Sequence, residues 1–251
     1  MCIRDRCKES VWKYEGMWED FSHTVGFWAD MKNPYVTYHN DYIESEWWAL
    51  KEIWKKGLLY EGHKIVPYCP RCGTPLSSHE VAQGYKDVKE RSAVVRFKVK
   101  GEDAYILAWT TTPWTLPSNV ALCVNPDEDY VKVTSKGYTY YMAAALVDTV
   151  LGEGAEVLEH YQGKDLEFKE YEPLFPYAEK RIGNKKAYYV VCDTYVTLTD
   201  GTGVVHIAPA FGEDDSKVGH RYDLPFVQLV NEKGEMTEET PWAVSYTHLR
   251  A

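Results

Sequence analysis

Ala108-Trp109-Thr110-Thr111-Thr112-Pro113-Trp114-Thr115-Leu116-Pro117-Ser118-Asn119 is the stretch on which the reading of this chain turns. An apolar strand runs into three consecutive threonines and then stops at a proline. Pro113 disfavours helix at the residue before it and keeps Thr112 extended. Hydroxyls leaving a strand end, with Trp109 and Trp114 alongside, make a small polar cradle with hydrophobic walls. Threonine-rich strands are also ordinary, because β-branched side chains favour sheets, so this stretch alone does not separate a site from a scaffold.

On either side of it the pattern is β-rich. Residues 93–99 alternate, with Val95, Phe97 and Val99 on one face, and predict a strand. Further strands are expected over 105–109, 120–124, 130–133, 138–142, 187–196, 203–207 and 226–230. Helices are expected over 143–151, stopped by Gly152, and over 213–222. Before residue 85 the composition differs: six of the nine tryptophans (Trp12, Trp18, Trp28, Trp47, Trp48, Trp54) lie there. That segment reads as helical. Residues 45–56 carry Trp47, Trp48, Leu50, Ile53 and Trp54 at helical spacing, with Lys55, Lys56 and Gly57 as a C-terminal stop. A short strand is expected over 64–68.

Two further constellations carry chemistry. Asp200-Gly201 is a hairpin-type turn feeding a strand that bears His206. Pro209 and Gly212 break that strand, and Glu213, Asp214 and Asp215 open a helix. Their plain reading is compensation of the helix dipole, and that of His206 is a half-buried strand residue. Cys69-Pro70-Arg71-Cys72-Gly73 has the spacing of half a tetrahedral zinc site, with a redox pair as the alternative. No second such pair follows, and nothing in the spacing singles out His63 or His79 as further ligands. Cys123 lies in an apolar strand and reads as core. Motifs of the types GxxxxGK[ST], GxGxxG, HxGH and KMSK are absent.

Composition narrows the classes. With 45% hydrophobic residues in 251, the chain suits one or two globular domains and not a disordered segment. A formal charge of -10 argues against tight autonomous binding to nucleic acid, though not against a local basic patch. No apolar run approaches the roughly 18–20 residues of a bilayer span, so no membrane partner is expected. There is no signal-peptide pattern at the N-terminus. The six cysteines are not spaced as a disulfide framework, which predicts a reduced, cytoplasmic compartment. The two ends stand apart. Met1 to Asp5 can be written ATG TGT ATA AGA GAC, followed by AG, and the reverse complement read in frame spells Val244-Ser245-Tyr246-Thr247-His248. Residues 1–6 and 244–251 are therefore expected to derive from adapter DNA, with the natural polypeptide continuing beyond both.

Taken together, the segments resemble isoleucyl-tRNA synthetases of class I. Asn33-Pro34-Tyr35-Val36-Thr37-Tyr38, Tyr42-Ile43-Glu44-Ser45-Glu46-Trp47-Trp48, residues 68–77 and His79-Glu80-Val81-Ala82-Gln83-Gly84-Tyr85 look like the stretch between the first nucleotide-binding motif and the editing insert. Residues 111–119 look like the threonine-rich editing peptide, with Thr112-Pro113 where valyl and leucyl relatives have Arg-Pro. Residues 203–215 look like the second editing peptide. The likeness covers about residues 7–243.

The resemblance implies an α/β protein. Residues 7–88 would be part of a class I Rossmann-type catalytic domain with half a zinc knuckle, and 89–243 a β-rich, barrel-like α+β editing insert, incomplete at its C-terminus. It implies a ligase that attaches isoleucine to tRNA(Ile) with ATP and Mg, acting as a monomer, and an insert that hydrolyses misattached valine. Asp215 would bind the cationic α-amino group, with Asp214 as the alternative if the register slips by one. Thr110, Thr111 and Thr112 would hold the terminal ribose, the ester and the attacking water. Trp114 and His206 would shape the side-chain pocket, His206 alternatively serving as a base, and Asn119 would join the substrate-binding residues. Cys69 and Cys72 would bind zinc with partners elsewhere. The competing readings are a non-catalytic zinc-containing RNA-binding module and an inert truncated fragment.

Overall fold

The computed structural model describes residues 3–62, 64–69, 71–87, 89 and 91–240. The chain divides into two compact units, Met1–His63 and Lys64–Ala251. The division precedes the cysteine motif and lies earlier than the change in composition near residue 85. Residues 244–251 lie outside the described residues, and residues 3–6 begin the first helix.

The first unit is helical, as its tryptophan spacing predicts. Helix α1 spans Ile3–Thr24 and α2 spans Asn40–Lys55. α2 begins earlier than the expected 45 and ends where expected. Gly57 takes φ +68°, and its N–H donates to Trp54 O at 2.8 Å. Such a left-handed residue closes the helix without the Cβ strain of other residues. Neither helix has a buried residue.

The second unit opens with a two-stranded hairpin, β1 (Tyr68–Cys69) and β2 (Thr74–Pro75). The strand expected over 64–68 is assigned only from Tyr68, because Pro67 has no N–H to give a ladder. Helix α3 (Ser78–Ala82) follows, started by a capping box in which Ser77 and Glu80 exchange hydrogen bonds.

The main body is an eight-stranded mixed sheet curled into a half-barrel. Its strands are β3 (Ala93–Lys98), β4 (Tyr105–Thr110), β5 (Ala121–Val124), β6 (Asp129–Ser135), β7 (Tyr138–Ala143), β8 (Glu156–Gln162), β9 (Tyr189–Cys192) and β10 (Val204–Ile207). The order is β8-β6-β7-β4-β10-β5-β9, with β3 paired to β4. β4 has three partners: β3 antiparallel along its length, β7 parallel at its start, and β10 parallel at Trp109. The expected helix over 143–151 is a 3-10 turn, Ala144–Leu146, continuing into α4 (Val147–Leu151). Helix α5 spans Glu179–Ile182, and α6 spans Glu213–Arg221, close to expectation.

Three expectations are corrected. β8 was not foreseen: most of its residues are exposed, so it lacks the apolar alternation that marks a strand. Over 187–196 only Tyr189–Cys192 is strand. No strand forms over 226–230, where Val230 makes an isolated bridge to Met236 while Val227 and Leu229 are buried as irregular core. Among the described residues, no helix is long and apolar enough to cross a membrane.

Two apolar clusters pack on the sheet. Leu122, Val124, Phe97, Ile106 and Val204 belong to one, and Ala121, Cys123, Val191 and Ile207 to the other. β5 is therefore buried on both faces, which is why 120–124 is an unbroken apolar run. Cys123 is core, as expected, and burial pushes its thiol well above the usual range.

Glu102, in the turn between β3 and β4, ties two further strands, β6 and β7, and a loop to that turn. It accepts from Lys169 at 2.6 Å, Tyr141 Oη at 2.7 Å and Lys132 at 3.3 Å. Partial burial works to raise its pKa, but these three donors outweigh it and hold the carboxyl at about 2, against an ordinary 4.5. Because the folded value is depressed, its stabilisation is complete above pH 4.5 and is lost as pH falls towards 2. The carboxylate is one-third exposed, so solvent screens the network. Glu102→Gln should lower unfolding free energy by about 1 kcal/mol at pH 7 and leave it nearly unchanged at pH 2, read from urea midpoints at the two pH values.

Candidate functional site on the β4 and β10 ends

β4 ends in Thr110, and the chain then turns into a 3-10 helix, Pro113–Ser118, capped by Thr112 at φ −122°, ψ 64°. Thr112 is kept out of the helical region as Pro113 requires, and the proline enters the helix at a position where its missing N–H costs nothing. The parallel register Val205↔Trp109 sets His206 of β10 level with Thr110.

These residues form one polar chain. Thr110 Oγ1 accepts from the N–H of Thr112 at 3.0 Å and lies 3.4 Å from its hydroxyl. The Thr112 hydroxyl lies 3.4 Å from that of Thr115. Thr115 Oγ1 donates to Thr112 O at 2.8 Å and sits 3.0 Å from His206 Nε2. With its proton given to Thr112, Thr115 accepts from His206, which assigns the Nε2–H tautomer. Nδ1 is then a bare acceptor, buried and without a partner among the described residues. Burial pushes the imidazole down to about 4, so it is neutral at pH 7.

Asp215 occupies the first turn of α6. The N–H of Ala208, two residues beyond His206, donates to Oδ2 at 3.0 Å, and Tyr195 Oη donates to Oδ1 at 3.4 Å. Gly212 gives it room: a Cβ there would lie 2.9 Å from Asp215 Cγ. Burial raises the carboxyl to about 6, the Ala208 and Tyr195 donors oppose that, and Asp214 adds to it. Asp214 itself is exposed and pairs with Lys217 at 3.0 Å. All three acids stand in the first turn of α6, as compensation of the helix dipole expects; Glu213 and Asp214 are exposed there, whereas Asp215 is half-buried and hydrogen-bonded.

The structure thus joins Thr110 and Thr112 to His206 through Thr115, with Asp215 anchored at the end of the same strand. Thr111 is exposed and Trp114 half-buried. Asn119 is taken up internally: its amide donates to Ala121 O at 2.8 Å and its carbonyl accepts from Tyr171 Oη at 2.7 Å. Sequence reasoning missed Thr115 and Tyr195. Thr115 carried a usable signal, a third hydroxyl one 3-10 turn after Thr112. Tyr195 carried none, since its contact with Asp215 depends wholly on the tertiary structure.

Cys69 and Cys72 sit on the β1–β2 turn, where Gly73 at φ +67° donates to Cys69 O at 2.8 Å. The Cys72 N–H points at Cys69 Sγ at 3.4 Å and pulls that thiol's pKa down, as suits a metal-binding thiolate. The pair fits half a tetrahedral site. No group of three or more His, Cys, Asp or Glu that could hold a metal occurs among the described residues. His79 is occupied by Gln83, at 2.8 Å, and His63 lies outside the described residues.

The Tyr195 hydroxyl favours the charged form of Asp215, so Tyr195→Phe should raise the carboxyl's titration midpoint above its present value of about 6. Carbon-detected NMR titration of the Asp215 side chain reads this directly. A midpoint near the ordinary 3.8 in the unmodified protein would contradict the half-buried seat described above.

The sequence family described as tRNA synthetases class I (I, L, M and V) matches residues 2–251. The isoleucine–tRNA ligase of Clostridium acetobutylicum is 61% identical over 238 residues, which is 94% of this chain and 23% of the relative. That of Bacillus thuringiensis is 52% identical over the same shares. The chain therefore spans about a quarter of the length of the curated relatives it matches. The crystal structure of the Plasmodium knowlesi cytosolic leucyl-tRNA synthetase editing domain aligns with 56% of this chain and 66% of that chain, at 14% identity and a TM-score of 0.42. The match along the whole chain shows that it belongs to the class I tRNA synthetases of the I, L, M and V group.

Proposed function

We propose that the chain is part of an isoleucine–tRNA ligase and that its β-sheet unit hydrolyses valine wrongly esterified to tRNA(Ile). The observation that carries the reading is the hydroxyl–imidazole chain Thr110–Thr112–Thr115–His206, built on a strand whose end also anchors Asp215. Buried polar atoms are ordinarily hydrogen-bonded, so the unpartnered Nδ1 of His206 supports a role in meeting a ligand. The 61% identity to an isoleucine–tRNA ligase supports the substrate.

The need for a second site is energetic. A pocket that accepts isoleucine excludes valine by only one methylene, worth about 1–3 kcal/mol, and these ligases are the standing example of that limit. A second pocket that admits the smaller side chain and cleaves its ester adds the missing discrimination.

The residues divide the work by their chemistry. Asp215, seated by Ala208 and Tyr195, takes the α-ammonium group through a charge-assisted bond. Thr110, Thr111 and Thr112 hold the ribose, the ester and a water. Water oxygen attacks the ester carbonyl, the carbonyl–ribose oxygen bond breaks, and the proton goes to the departing ribose oxygen. A base that titrates near 4 is a poor proton acceptor at pH 7, so His206 acts through shape and its bare Nδ1, gating the pocket with Trp114. Cys69 and Cys72 would hold zinc with two ligands from other segments, as a structural knuckle. ATP, Mg, isoleucine and the remaining tRNA contacts belong to the rest of a longer, monomeric cytoplasmic ligase.

In the complete ligase, Asp215→Ala should cut Val-tRNA hydrolysis by about 10- to 100-fold, the scale of one charged hydrogen bond, while Ile-tRNA synthesis continues. Loss of both activities together would sink the assignment. His206→Ala should open the pocket so that Ile-tRNA is also hydrolysed; a fall in Val-tRNA hydrolysis with Ile-tRNA still spared would make His206 a chemical participant. Since ammonium capture needs the carboxylate, Val-tRNA hydrolysis should rise with pH through about 6, measured as initial deacylation rates.

A further inference from the structure

The acidic balance of the chain leaves room for a local basic patch, and one lies on the sheet near the start of β4. Arg96 and Lys98 of β3 stand two residues apart, so their side chains leave the strand on the same face. Lys98 pairs with Tyr105 of β4, and Tyr105 pairs with Tyr140 of β7, two residues after Tyr138. The cross-strand register thus gathers two cations and three phenol rings in one place. Ring centroids lie 6.1 Å apart for Tyr105 and Tyr138, 6.4 Å for Tyr105 and Tyr140, and 6.2 Å for Tyr138 and Tyr140.

We infer that this face is a contact for the phosphate backbone of RNA, with the Arg96 guanidinium as its clamp and Lys98 beside it. The inference rests on the tRNA-ligase reading for its partner and is independent of the ester chemistry. At about 3.3 Å per strand residue, Tyr105 stands roughly 17 Å from Thr110, so this contact is separate from the threonine cradle.

The seat of Arg96 is the first argument. Its guanidinium lies 4.8 Å from the Tyr138 ring centroid and 5.5 Å from that of Tyr105, yet the residue is exposed. Rings against the planar group order it before a ligand arrives, so little freedom is lost when its N–H fork is engaged.

Charge is the second. Among the described residues Arg96 has no ion pair, and the acids near this face, Asp103 and Glu172, act on Lys98. The Asp103 side chain is 99% exposed, so its pair with Lys98 is screened by water and yields to a stronger anion. With a net charge of -10 the chain as a whole repels a polyanion, and contact falls where an unpaired cation stands in solvent.

The chemistry of the groups is the third. A guanidinium fork meets phosphate oxygens two at a time, and an exposed tyrosine such as Tyr138 adds a hydroxyl donor. Contacts of this kind position a nucleic acid without reading its sequence.

The test is fluorescence anisotropy of the 251-residue chain with a blunt-ended RNA hairpin, whose paired 3′ end sends no free strand into the cradle. The hairpin should bind, and more weakly as salt rises. Arg96→Ala should weaken it about fivefold or more and lower the slope of log affinity against log salt by about 1, the signature of one lost phosphate contact. Tyr138→Leu serves as the second variant: it keeps every charge, removes one ring of the seat, and should weaken the hairpin about twofold or more with the slope unchanged. Both side chains are exposed, so thermal unfolding midpoints should match that of the unmodified chain. No binding of the hairpin, or an affinity and slope in Arg96→Ala equal to those of the unmodified chain, overturns the contact. Displacement of the hairpin by a polyglutamate peptide at equal charge concentration overturns it too, in favour of an acidic protein partner. The Asp215→Ala deacylation assay reports separately on the editing reading: Arg96-dependent hairpin binding without ester hydrolysis keeps this contact and removes the editing assignment.

Discussion

The parallel contact of Val205 with Trp109 is the constraint on which the site depends. It seats β10 between β4 and β5 and brings two peptides far apart in sequence to one place, 91 residues separating Thr115 from His206. Its register is decisive because side chains alternate faces along a strand. Shifted by one residue, β10 would turn His206 into the apolar cluster that holds Ile207 and bring Val205 to Thr115. The antiparallel pairing with β5, from Val204↔Val124 to Ile207↔Ala121, fixes that register over four residues. The turn before it is equally specified. Gly203 takes φ +72° where a Cβ would meet Ala143 Cβ at 2.3 Å, and Thr202 caps the turn by donating to Leu107 O at 2.7 Å.

Burial then tunes the two titratable groups in opposite directions for one reason. Removing solvation disfavours whichever form is charged, so the imidazole goes down and the carboxyl goes up. His206 becomes a ring that is neutral at pH 7 and keeps a bare lone pair on Nδ1. Asp215 becomes a carboxylate whose charge is held by two donors, Ala208 N–H and Tyr195 Oη. Perturbed groups of this kind concentrate where a ligand supplies the missing partner.

Asn119 and Tyr130 have their polar side-chain atoms partnered within the fold and belong to the scaffold. Asn119 bridges Tyr171 and Ala121 at the joint between the 3-10 helix and β5, which keeps the threonine peptide at a fixed distance from the sheet. Tyr130 gives its hydroxyl proton to Gly203 O at 2.6 Å and accepts from Asn125 N–H, tying β6 to the turn before β10. These bonds hold the cradle's two supports together without meeting a ligand.

Local sequence determined much of this. The alternation in 93–99, the apolar run 120–124, the helical tryptophan spacing of 45–56 and the acidic start of α6 each rest on neighbouring residues, and each formed close to where its pattern placed it. So did the extended Thr112, which needs only Pro113. The exposed β8 was illegible because its hydrogen bonds to β6, not an apolar face, make it a strand. The residues Thr110, Thr112, His206 and Asp215 could be nominated from their motifs. Which of three adjacent acids is drawn in from solvent, which hydroxyl meets the imidazole, and that Tyr195 supports Asp215 were decided only by the tertiary structure. Burial and hydrogen bonding between distant segments depend on the pairing of β4 with β10, and no local pattern encodes that pairing.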